Sequence, residues 1–126
     1  MKIETHLEKI SRLDASLMKL DDNTDYETII ELIMLLASHY VNAAMHKLNT
    51  LRIDKDEKHN KMYRVLVREK RLRNDSNEVW TAIDKIENLR SKHVYGSGTN
   101  GKYAKEAKKQ YEIIKKICRR ILNVEF

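Results

Sequence analysis

The sequence predicts an all-α fold: an up-and-down, antiparallel four-helix-type bundle with one additional short helix. Three observations carry this. The 126-residue chain has no proline and only three glycines, fewer turn residues than a protein of many short strands needs. Its apolar residues recur at alternating spacings of three and four, the period of one helical face. Polar breaks near 21–23, 50–58, 74–77 and 96–101 cut this pattern into about five helices, which suits a single domain over 1–126.

The first helix is read from residues 3–20, where Ile3, Leu7, Ile10, Leu13, Leu17 and Leu20 form one stripe. His6 stands beside that stripe, so a surface or boundary position is expected for it. Asp21-Asp22-Asn23 ends the pattern, and Thr24 followed by Glu27 reads as a capping box opening a second helix near Asp25. Ile29, Ile30, Leu32, Ile33, Leu35 and Leu36 surround the axis of that helix, which makes it central. Farther along it, His39, Asn42 and His46 share one face as a polar stripe, with alanines permitting close approach. Histidines seven residues apart stand about two turns apart, so His39 and His46 alone do not share a metal ion. No metal and no cofactor is expected.

Residues 50–58 lose the period and read as a connection. His59 and Asn60 open a short third helix, with Met62, Val65 and Leu66 inward and Arg64, Arg68, Lys70, Arg71 and Arg73 outward. Asn74 to Asn77 is the next break, and Asp75 with Glu78 reads as the cap of helix four. Val79, Trp80, Ile83 and Ile86 line its inner face. Counting on by four and seven from Ile86 puts Arg90 and His93 on the same face. Gly96 to Gly101 is a loop. Helix five follows from about Lys102, with Tyr103, Ala104, Ala107, Tyr111, Ile114, Ile117, Cys118 and Ile121 inward.

Charge is unevenly distributed. Residues 1–60 hold 8 Lys/Arg against 11 Asp/Glu, and residues 61–126 hold 17 against 8. Such a basic half suits a polyanionic partner, because cations beside phosphates release condensed counterions; solvated helix faces would look the same. Arg64, Arg68, Arg71, Lys102, Lys105 and Lys109 are the candidate nucleic-acid contacts. The lone Cys118 excludes an intrachain disulfide, and no leader-like segment opens the chain, so a reducing cytoplasm is expected. The apolar run Ile29 to Ala37 falls short of the roughly 20 residues of a membrane span and reads as core, so no membrane partner is expected.

Gly96-Ser-Gly-Thr-Asn-Gly101-Lys102 has the spacing of a phosphate-binding P-loop, but Tyr103 stands where a magnesium-binding hydroxyl belongs, and a helix precedes it in place of a strand. It reads as a helix-to-helix turn. Arg90, His93 and Tyr95 form another constellation: an arginine that can fork onto phosphate, a histidine that can move protons, and a tyrosine that can stack on a base. The same three could instead tie together the end of the bundle.

The segment His39-Tyr40-Val41-Asn42-Ala43-Ala44-Met45-His46, the His59-Asn60 opening and Leu89-Arg90-Ser91-Lys92-His93-Val94-Tyr95-Gly96 resemble the HEPN superfamily, the higher-eukaryote and prokaryote nucleotide-binding domains. The resemblance covers roughly Ser38 to Tyr111. It implies a helical bundle, often a homodimer, that binds RNA or a nucleotide, cuts RNA as a toxin, or partners a small nucleotidyltransferase. In RNA-cutting members four to six residues separate the arginine from the histidine; here Arg90 and His93 enclose two. The resemblance therefore implies binding first. The alternatives are a metal-independent endoribonuclease using Arg90, His93 and Tyr95, and a non-catalytic dimeric scaffold with the His39, Asn42 and His46 stripe as its interface.

Overall fold

The computed structural model describes residues 1–94 and 101–123, leaving out the side chains of His93 and Val94. The described residues form five α-helices and no strand: α1 (Ile3–Leu17), α2 (Tyr26–Lys47), α3 (Met62–Arg68), α4 (Asn74–Leu89) and α5 (Gly101–Leu122). Short 3-10 turns cover His59–Lys61 and Lys70–Leu72, and a π-helical turn over Arg90–Val94 extends α4.

The helix with the widest apolar surface lies in the middle. α2 packs on α1, α5 and α4 and buries 14 side chains, among them Ile29, Ile30, Ile33 and Leu36. It is also long and apolar enough to cross a membrane by length and composition, and 67% of its most apolar window is buried within the bundle. The short run seen at Ile29–Ala37 continues because Tyr40, Val41, Ala43, Ala44 and Met45 are buried too.

Contacts between helix ends give the directions. Gly101 at the start of α5 meets Asn23 just before α2, while Arg119 near the end of α5 donates to Tyr40 Oη in the later half of α2, at 3.2 Å. α2 and α5 therefore run parallel. The end of α4 reaches the start of α2 through Arg90 and Glu31, and His6 near the start of α1 meets His39 in the later half of α2, at 2.9 Å. Thus α4 and α1 run antiparallel to that central pair. The sequential pairs α1/α2 and α4/α5 are antiparallel, as short connections require, and parallel α2 and α5 meet across the middle.

Local differences from the sequence reading have local causes. The capping box does not form: Thr24 Oγ1 donates to Asp21 Oδ1, which also accepts from the backbone N–H groups of Asn23 and Thr24. A side-chain turn at Asp21 thus replaces the expected cap. α4 begins at Asn74, not after a break at 74–77, and its first turn has no side-chain cap. The chain instead breaks at Glu69–Arg73, where Arg73 adopts φ 53°. α2 ends in a Schellman motif: Asn49 takes φ 59°, and Thr50 N–H reaches Met45 O at 3.0 Å. At the start of α5, a Cβ on Gly101 would press on Asn23 and come within 3.2 Å of the Asp22 backbone. Close approach of the α1–α2 turn requires this glycine.

Candidate functional site

Arg90 closes the α2–α4 end of the bundle. Its Nε donates to both Glu31 oxygens, at 2.8 and 3.0 Å, and Nη1 to Glu87 Oε1 at 3.2 Å. The side chain is 23% exposed. The expected place on the inner face of helix four is therefore right in direction, but the guanidinium meets carboxylates of its own chain, so a phosphate has to compete with two acids. His59 Nδ1 lies 3.2 Å from Glu87 Oε2 without the alignment of a hydrogen bond. The His93 side chain, Tyr95 and the glycine loop up to Asn100 lie outside the described residues.

The candidate basic residues separate into two groups. Arg64 and Arg68 are exposed on α3, and Lys102, Lys105 and Lys109 on α5. α3 packs on α4 and α4 on α5, so α4 stands between them. Arg71 is committed elsewhere: its Nε donates to Glu69 Oε1 at 2.7 Å and its Nη2 to Glu69 Oε2 at 2.8 Å. Glu69 is buried and also accepts from Thr50. Hydrogen bonds from Arg71, against the opposing cost of burial, hold its carboxyl down to about 2. Sequence reasoning placed Arg71 on an open basic face because nothing local marks Glu69 as its buried partner.

A second centre lies between α1, α2 and the 51–57 segment. His6 is buried, 1% exposed, and this corrects the boundary position expected for it: Asp56 and His39 supply hydrogen-bond partners that make an inward imidazole tolerable. His6 Nδ1 lies 2.9 Å from His39 Nδ1, and His6 Nε2 lies 3.1 Å from Asp56 Oδ1. His46 Nδ1 is 3.0 Å from Leu51 O, and its Nε2 is 2.8 Å from the same Asp56 oxygen. Asn42 holds the segment in place, since its Nδ2 donates to Glu57 O at 3.1 Å and its Oδ1 accepts from Glu57 N–H at 2.8 Å.

The polar stripe His39, Asn42 and His46 is thus real, but it faces the chain's own α1 and 51–57 segment. Asn42 and His46 are 4% and 2% exposed, which removes them as a surface for a second copy. The reason is that α1 and the 51–57 segment together cover the stripe.

Desolvation lowers the pKa of His6, opposed by its hydrogen bond to Asp56. His39 falls to about 4, again through burial first and then through the neighbouring His6. Burial pushes the Asp56 carboxyl up, but hydrogen bonds from His46 and His6 outweigh it and keep the group ionised. The Met1 amine also lies 3.3 Å from Asp56 Oδ1. Nitrogen atoms of His6 and His46 and an oxygen of Asp56 all fall within 4.8 Å of one another, a donor set able to hold a metal ion.

Asp56 is the residue sequence reasoning missed. It stands in an aperiodic stretch, 50 residues from His6 and 10 from His46, so no spacing rule could connect it to them. Comparison with protein-family models, with curated proteins and with solved structures found no match.

Proposed function

We propose that the chain is a HEPN-like, non-catalytic RNA-binding domain that engages the phosphate backbone through the outer face of α5. The observation that carries this is a stripe of exposed cations, Lys105, Lys109 and Lys116, none of them in an ion pair among the described residues. At helical rise the stripe extends about 16 Å. Eight Lys/Arg against two Glu make α5 the most basic helix of the chain. Buried Ala104, Ala107, Tyr111 and Ile114 fix its opposite face to the bundle, so the cations are held outward on a rigid element.

Binding takes precedence over cleavage in this reading. Two residues separate Arg90 from His93, and Arg90 is occupied by Glu31 and Glu87. The resemblance also supports a homodimer and a small nucleotidyltransferase-type protein as partner; light scattering after size exclusion checks the first of these.

Fluorescence anisotropy with labelled single-stranded RNA over a salt series tests the reading. Affinity should fall steeply with salt, and Lys105→Gln/Lys109→Gln/Lys116→Gln should lower the log–log slope by about 2. Salt-independent binding, or a triple variant that binds like wild type, defeats the proposal. Cleavage of the RNA in EDTA, lost in both Arg90→Ala and His93→Ala, would replace it with the nuclease.

A further inference from the structure

The geometry points to a divalent transition-metal site of the zinc class, with His6 Nε2, His46 Nε2 and Asp56 Oδ1 as its ligands and His39 as the hydrogen-bond partner that orients His6. The inference starts from the convergence of three donors: ring nitrogens of His6 and His46 and an oxygen of Asp56 lie within 4.8 Å of one another. His46 Nδ1 faces the carbonyl oxygen of Leu51 at 3.0 Å, and a carbonyl can only accept, so the Nδ1–H tautomer answers it and leaves Nε2, 2.8 Å from Asp56 Oδ1, to serve as the ligand atom when an ion enters. The His46 side chain is fully buried, so its ring is held in this orientation.

The remaining geometry fits an ion. Ligand atoms about 2.0–2.2 Å from one zinc-class ion, at roughly right to tetrahedral angles, stand about 2.9–3.5 Å apart. The separation of 3.1 Å from Asp56 Oδ1 to His6 Nε2 lies inside that range, and that of 2.8 Å to His46 Nε2 falls just below it. Asp56 has 32% of its side chain exposed and lies outside any helix, so it has room to open by the few tenths of an ångström required.

Both imidazoles are also oriented as ligands should be. His46 Nδ1–H can donate to Leu51 O, 3.0 Å away, and His6 Nδ1–H to His39 Nδ1, 2.9 Å away. A metal-bound histidine characteristically gives its second N–H to a protein acceptor in this way, which fixes the tautomer and leaves Nε2 for the ion. Three protein ligands leave further positions for water or a small anion, reached past the exposed side of Asp56. The Met1 amine near Asp56 offsets part of the carboxylate charge. The choice of zinc-class over hard cations follows from the two imidazoles, since calcium and magnesium favour all-oxygen shells.

The test uses the full chain, stripped of metal with EDTA and dialysed, titrated calorimetrically with zinc chloride and, in parallel, with cobalt(II) read by its ligand-field absorption. One ion per chain is expected, together with a zinc-dependent rise in Tm. Asp56→Asn, whose side chain is partly exposed and whose fold circular dichroism can verify, should weaken zinc binding at least 100-fold. His39→Gln should weaken it about 10- to 100-fold without changing the stoichiometry, as a residue acting through a ligand does. The proposal is overturned if the wild type takes up no zinc at millimolar concentration, or if Asp56→Asn and His46→Gln bind as the wild type does.

Discussion

The two polar centres on α2 answer the same problem in opposite ways. At the α4 end, Arg90 is a permanent cation with carboxylates on two of its nitrogens, and its charge is matched within the chain. At the other end, His46 is fully buried, with acceptors at both ring nitrogens. The first centre is a clamp between helices, whereas the second gathers two imidazoles on one carboxylate oxygen. A charged group that reads as a candidate site can thus be structural, and polar groups that read as an interface can converge inside the bundle.

The comparison can be broken most directly at His46. In metal-free protein His46→Ala should cost about 3 kcal/mol in urea unfolding, because it leaves a cavity and strands the Leu51 carbonyl and the Asp56 carboxylate. A loss below 1 kcal/mol would mean that the centre carries none of the stability its burial implies.

Glu69 provides a third, fully matched charge. Its carboxyl is held at about 2, below its ordinary value of 4.5, so its stabilisation is complete above about pH 4.5 and is lost as pH falls through 2. With Arg71 64% exposed, solvent screening reduces this to about 2 kcal/mol. Glu69→Gln should therefore flatten the acid limb of the stability curve measured between those two pH values. A limb unchanged by the substitution would move the acid sensitivity to other carboxylates.

Arg90→Met should cost only about 1 kcal/mol, since the pair with Glu31 is partly solvated and the methionine keeps the apolar stem. Its RNA affinity should match that of the wild type. A larger effect on RNA than on stability would turn the clamp back into a binding residue.

The smallest effect concerns Cys118. Desolvation pushes its thiol up to about 12, so thiol reagents should label it only as fast as the bundle opens. Rapid native labelling would show that α5 is held less firmly than its buried face implies.

The helices were legible because their signal is local. The three-and-four spacing of Ile10, Leu13 and Leu17, or of Ala104, Ala107, Tyr111 and Ile114, records a face that packs inward whatever covers it. The caps at Thr24 and Asp75 were misread because several nearby side chains compete for the same backbone donors, and Asp21 takes them in the first case. Arg90 was legible as an inward arginine, but its acids on α2 and α4 were not.

By itself, then, the sequence determined the all-α class, the central place of α2 and the outward cations of α5, because each depends on residues within a turn or two of one another. Only the tertiary structure decided that α2 and α5 run parallel, that Arg90 is neutralised by Glu31, and that His6, His46 and Asp56 converge. Those pairings join residues up to 79 positions apart, and their geometry depends on how whole helices pack, for which no spacing along the chain is a guide.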